Sequence, residues 1–67
     1  MNEFYKLLVY FNRGEKITRS FLLRKTLITP DLIDMAVQLK YIVETTPSVD
    51  GDIRYVITDK GVQKRDN

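Results

Sequence analysis

The fold is decided by residues 39–61, LKYIVETTPSVDGDIRYVITDKG, in the second half of a chain of 67 residues. Residues 41–45 are mostly aromatic or β-branched, a composition that strands prefer. From residue 53 to residue 57, apolar residues alternate with Arg54 and Val56 at the period of two that is typical of a second strand. Residues 46–52 between them contain proline, serine, aspartate and glycine, which favour a loop. The stretch therefore predicts a β-hairpin.

A first helix is predicted over residues 3–13. Phe4, Leu7, Leu8 and Phe11 fall at the i, i+3, i+4 and i+7 spacing of a helix with one apolar face. Gly14 follows directly and can adopt the positive φ that ends many helices.

Two further helices are predicted between the first helix and the hairpin. The second is short, runs from Thr18 to Thr26, and is capped by Thr18. The third runs from Pro30 to about Lys40. Its start is marked by Thr29, a preferred cap, and by proline at the first helical position.

These elements predict one hydrophobic core. Its expected members come from all three helices and both strands: Phe4, Leu8, Phe11, Leu22, Leu32, Ala36, Leu39, Ile42, Tyr55 and Ile57. In the third helix the inward stripe is expected to be Leu32, Met35, Ala36 and Leu39. The outward side would then carry Asp31, Ile33, Asp34, Val37 and Gln38.

The run from Leu39 to Gly61 resembles the wing of the multiple-antibiotic-resistance repressors and related winged-helix families. Those families end the wing with Leu-Thr-x-x-Gly, and residues 57–61 here read Ile-Thr-Asp-Lys-Gly. Three helices followed by a two-stranded hairpin is also the winged-helix order. The resemblance implies a single α+β winged helix-turn-helix domain over residues 1–67. One departure is that the glycine often found between the third helix and the next strand is absent, because Tyr41 follows Lys40 directly.

Charge is distributed unevenly along the chain. The formal net charge is +2. Residues 1–26 carry six basic and two acidic groups, residues 27–59 carry two basic and six acidic groups, and residues 60–67 carry three basic groups and one acidic group. The predicted third helix and wing therefore lie in the acidic part of the chain.

Composition argues against several classes of protein. The chain has no cysteine and no histidine, so disulfides and the usual zinc sites are not expected. General acid–base or nucleophilic catalysis usually needs a histidine, a cysteine or a desolvated pair of carboxylates, and Asp31 and Asp34 are better explained as the solvated start of the third helix. We therefore expect neither an enzyme nor a cofactor or metal site. No secretory signal or stretch of about 20 apolar residues is recognisable. We therefore expect a cytoplasmic protein that does not bind membranes.

The resemblance implies binding to double-stranded DNA and a role in transcription regulation. Helix-turn-helix proteins place the third helix in the major groove, while the second crosses the backbone. The candidate DNA-binding residues are the cations and polar groups of these elements and the wing: Arg19, Arg24, Lys25, Thr29, Gln38 and Arg54.

The acidic third helix leaves a second reading open. Two carboxylates at a DNA groove repel phosphates, so the domain is alternatively a protein-interaction module whose partner docks on Ile33, Asp34 and Val37. In the first helix, Tyr5 and Val9 lie off the core stripe. A chain this small has a marginal core, and these extra apolar residues predict a homodimer formed through the first helix.

Overall fold

A computed structural model describes residues 2–67. The elements are, in order, α1 (Tyr5–Leu8), β1 (Ile17–Thr18), α2 (Arg19–Leu23), α3 (Pro30–Gln38), β2 (Ile42–Thr45), β3 (Arg54–Ile57) and α4 (Asp59–Asp66). The class is α+β, as predicted, and this part of the chain holds four helices and one antiparallel sheet in the order β1-β3-β2. The prediction of three helices and two strands is therefore incomplete. Within residues 2–67, every helix is too short or too polar to span a bilayer.

Threonine caps begin three of the helices. The Thr18 hydroxyl accepts a hydrogen bond from the Phe21 amide (3.1 Å), and Thr29 accepts one from the Leu32 amide (3.2 Å). Each cap satisfies an amide that the first helical turn leaves without a partner. The predicted starts of α2 and α3 are confirmed. Thr58 caps α4 in the same way.

The chain leaves α3 through a left-handed residue. Lys40 has a φ of 67°, a conformation in which a side chain costs energy and glycine does not. The Tyr41 amide donates to the Ala36 carbonyl (2.9 Å), and the Lys40 amide donates to the Val37 carbonyl (3.0 Å). This pair of bonds is the Schellman ending of a helix. Lys40 therefore occupies the place where the resembling families often have glycine.

The hairpin has the predicted strands and gains a third. In its register, Ile42 pairs with Ile57 and Glu44 pairs with Tyr55. The third strand, β1, is two residues long, and its Ile17 pairs with Tyr55 on the other edge of β3. β3 is thus the central strand, with hydrogen-bonding neighbours on both sides.

The core confirms most of the predicted members and corrects the register of α3. Nine of the ten predicted residues are buried, and Leu39 is wrong, because 39% of its surface is exposed. Ile33, expected outside, is fully buried, whereas Met35 is exposed. The buried side of α3 is Leu32, Ile33 and Ala36, with Val37 packed partly against the core. The helix is rotated about its axis relative to the prediction.

The polar C-terminal residues form α4, which packs against α1 and the turn after it. The Arg65 guanidinium donates to the Phe11 carbonyl (2.8 Å), and the Asn2 amide group donates to the Lys64 carbonyl (2.9 Å). An exposed ion pair joins Arg13 to Asp59. α4 is therefore held by polar contacts at both of its ends. Apolar periodicity does not predict such a helix, because Val62 is its one apolar side chain and the contacts at its ends are polar.

Candidate interaction surfaces

Arg19 ties α2 to α3 and to β3. Its guanidinium donates to the Tyr55 hydroxyl (2.9 Å) and to the Asp34 carboxylate (3.1 Å). These contacts raise the pKa of Arg19 above its usual value, chiefly through the hydrogen bond with Tyr55 and in opposition to desolvation. Arg19 therefore stays charged, and one of its terminal nitrogens, Nη1, makes both bonds within the chain.

The wing loop, residues 46–53, is held by its own polar groups. The Arg54 guanidinium donates to the Thr46 (2.8 Å) and Pro47 (3.2 Å) carbonyls. The Ser48 hydroxyl donates to the Asp50 carboxylate, and this bond is the main reason that the pKa of Asp50 lies below its usual value. The loop therefore keeps a fixed shape and retains an ionised carboxylate near its tip.

A hydrogen bond between α2 and the loop joins these parts into one surface. The Ser20 hydroxyl donates to the Asp52 carboxylate of the loop. Ser20 follows Arg19, whose guanidinium contacts Asp34 of α3. We call the surface made of Arg19, Ser20, Asp34, Gln38 and residues 46–54 the wing face. Its tip carries Val49, which is fully exposed.

The exposed side of α3 is acidic and apolar. Asp31, Asp34, Met35 and Gln38 are exposed, and residues 30–38 include no lysine or arginine. The predicted docking set of Ile33, Asp34 and Val37 needs correction. Ile33 is in the core and Val37 is half-buried against it, so only Asp34 of the three is exposed for a partner.

Cations and aromatic rings meet on the opposite side of α2. The Lys25 ammonium lies 4.4 Å from the centre of the Phe21 ring and 5.3 Å from that of Tyr10, distances at which a cation is attracted to a ring face. Together with α1, residues 24–28 line a groove of about 420 Å³ that we call the α1 groove. Tyr5 and Val9 also border it and are exposed, as the sequence predicted.

The six predicted DNA-binding residues do not form one surface. Arg24 and Lys25 belong to the α1 groove, whereas the guanidinium groups of Arg19 and Arg54 are hydrogen-bonded within the wing face. Thr29 uses its hydroxyl as a helix cap. Gln38 is exposed on α3. The sequence did not reveal that Arg19 and Arg54 have hydrogen-bond partners inside the chain. The partners of Arg19 lie 15 and 36 residues away, and those of Arg54 lie 7 and 8 residues away.

Comparison with known proteins adds no relative. No family model, no curated protein and no solved structure matches the chain. The wing face and the α1 groove are therefore the features that bear on its function.

Proposed function

We propose that this chain is a winged helix-turn-helix domain that acts by binding a protein partner through its wing face. The order of elements supports the fold, since α2 and α3 are joined by a short turn and are followed by a hairpin. The strand order β1-β3-β2 also suits a wing that extends from a small sheet. The start of α4, directly after the hairpin, supports it further, because the Gly61 amide of the Thr-x-x-Gly sequence donates the cap hydrogen bond to the Thr58 hydroxyl.

One observation carries the choice of a protein partner: on the wing face the carboxylates outnumber the cations. Its two arginines are used internally, while Asp34, Asp50 and Asp52 give it a net negative charge. Duplex DNA carries one negative charge per about 1.7 Å and is bound mainly through phosphate contacts. An acidic face with Val49 at its tip is instead complementary to a protein surface that is basic and apolar.

Site-specific photocrosslinking tests this proposal. A benzophenone amino acid replaces Val49 at the wing tip, and the matched control replaces Val43, an exposed valine of β2 that lies outside the wing face and the α1 groove. In cells that make the protein, the probe at position 49 should yield one defined adduct with another protein. Asp50→Lys should abolish that adduct, because it reverses a charge next to the probe. Adducts with nucleic acid alone, or an adduct indifferent to Asp50→Lys, would overturn the proposal.

DNA binding and transcription regulation form the second candidate function. The helix-turn-helix arrangement of α2 and α3 favours it, with Gln38 exposed where a glutamine can pair with adenine. Arg24 is exposed at the α1 groove, so its guanidinium is available for a phosphate.

A titration of mixed-sequence duplex at low and moderate salt separates the two candidates. DNA binding predicts a log–log salt slope equivalent to several phosphates, lowered by about one in Arg24→Ala. It also predicts tighter non-specific binding in Asp34→Asn, which removes a repelling carboxylate. Protein binding through the wing face predicts no measurable affinity for duplex even at low salt.

A further inference from the structure

Two neighbouring grooves share a pair of residues on the side of the molecule that carries α1. The α1 groove adjoins a smaller groove of about 210 Å³, and both are lined by Lys6 and Leu27. Leu27 is 65% exposed at this junction, a large unburied fraction for a leucine. The two grooves therefore form one continuous surface with an apolar centre.

The two halves of this surface carry opposite charge. Besides the shared Lys6, the α1 groove is lined by Arg24 and Lys25 and by no acidic residue, whereas the smaller groove is lined by Glu3 and Asp31. Oppositely charged patches attract each other over distances of about 10 Å at moderate salt. The basic half of one molecule is thus complementary to the acidic half of another.

Both halves are also apolar. Tyr5, Val9 and Tyr10 are exposed beside the cations, and Met35 is exposed beside the carboxylates. Aromatic residues, methionine and arginine are the side chains that are enriched in protein interfaces. Burial of these groups would supply affinity, and the charges would set the orientation.

We propose that two copies of this chain pair through this surface, about a two-fold axis close to Leu27. A two-fold interface places the same patch of both molecules in contact, so each part of the patch meets its rotated copy. With the axis at the junction, the basic half of each copy lies on the acidic half of the other. An interface of standard size covers about 800 Å² per partner, less than a fifth of the 4418 Å² surface of the chain.

Sedimentation at tens to hundreds of micromolar should show a dimer. Leu27→Glu should weaken association about 30-fold or more, because it places a carboxylate at the centre of the interface. Leu27 is mostly exposed in the single chain, so the variant should fold as the parent does. The matched control is Val49→Glu, the same kind of change at an exposed residue of the wing, and it should leave association unaltered.

Charge reversal tests the two-fold arrangement itself. Arg24→Glu and Asp31→Arg should each be monomeric, because each creates two repulsive contacts in a symmetric dimer. An equimolar mixture of the two variants should associate with the mass of a dimer, since both contacts between unlike copies are then attractive. Circular dichroism checks that each variant is folded, and Glu3→Arg replaces Asp31→Arg if the latter is not.

Three results would overturn the proposal. They are a monomer at every concentration, a dimer that survives Leu27→Glu, and a mixture of charge-reversed variants that stays monomeric or forms larger species. The wing face lies outside this interface. A monomeric chain that still forms its adduct at position 49 would therefore refute the dimer and leave the proposed function standing.

Discussion

Replacement of Gly61 by alanine tests the contact that joins α4 to the end of α3. Gly61 is buried, and a Cβ atom at this position would lie 2.1 Å from the Tyr41 carbonyl oxygen and 2.7 Å from a side-chain carbon of Ile57. Ordinary contact begins near 3.4 Å. Since the nearest atom belongs to the backbone, no side-chain rotation relieves the overlap, and α4 has to move by more than an ångström.

The expected loss of stability is the balance of three effects. Overpacking of this kind costs about 1–3 kcal/mol. Movement of α4 also weakens two hydrogen bonds of Thr58. Its hydroxyl donates to the Lys40 carbonyl (2.6 Å), and its amide donates to the Tyr41 carbonyl (3.0 Å). Each bond contributes about 1 kcal/mol. Alanine in a helix is favoured over glycine by about 1 kcal/mol. We therefore expect Gly61→Ala to lower the free energy of unfolding by about 2–3 kcal/mol.

Thermal unfolding followed by circular dichroism measures this effect. A domain of this size loses about 4–8 °C in Tm per kcal/mol, so the expected decrease is about 10–20 °C. The control is Gln63→Ala, an exposed position of the same helix, which should leave Tm nearly unchanged. If helix propensity decided the outcome, Gly61→Ala would melt at or above the parent. That result would refute the close approach of α4 to Tyr41.

Three more changes probe the turn after α3, the register of α3 and the wing loop. Lys40→Gly should have a free energy of unfolding about 0.5–1 kcal/mol higher than Lys40→Ala, because alanine keeps a Cβ atom at a positive φ and glycine does not. Equal urea midpoints for the two variants would show that the Cβ atom causes no backbone strain at this position. Ile33→Ala should lower the free energy of unfolding by about 2–5 kcal/mol, and Leu39→Ala should lower it by less than about 1 kcal/mol. If urea denaturation gave the opposite order, Leu39 would be the buried residue, as the sequence predicted. Ser48→Ala should raise the pKa of Asp50 towards its usual value in an NMR titration, because the hydroxyl donor is lost. In the parent, the hydrogen bond favours the ionised Asp50 carboxylate in the folded chain, so it stabilises the fold at pH values above the ordinary pKa of an aspartate. This stabilisation is lost as the pH falls through the lowered pKa. If Ser48→Ala left the titration of Asp50 unchanged, the hydrogen bond would be absent in solution.

The surroundings of the predicted DNA-binding cations could not be predicted from the sequence. The sequence located the cations, but their availability depends on long-range partners. Arg19 reaches Tyr55, which is 36 residues away, and the sequence alone does not specify that pairing. Arg24 and Lys25 follow Arg19 closely in sequence, yet they line a groove with α1, because they lie in the turn after α2 ends at Leu23.

Features that depend on a few adjacent residues could be predicted from the sequence alone. The threonine caps of α2 and α3, the strands of the hairpin and the apolar stripe of α1 follow from local hydrogen bonding and from the periodicity of one element. Tyr5 and Val9 were likewise placed outside the core by that stripe alone.

The tertiary structure decided which apolar side of α3 is buried. Apolar residues surround most of this helix, so two registers satisfy its sequence, and packing against the sheet selects the one with Ile33 inside. Tertiary contacts also decided the short strand β1 and the polar helix α4. A strand of two residues has no period to recognise, and α4 is stabilised by side chains that bond to distant backbone carbonyls. Such contacts form between segments far apart in the chain, so their free energy depends on the assembled fold rather than on local sequence.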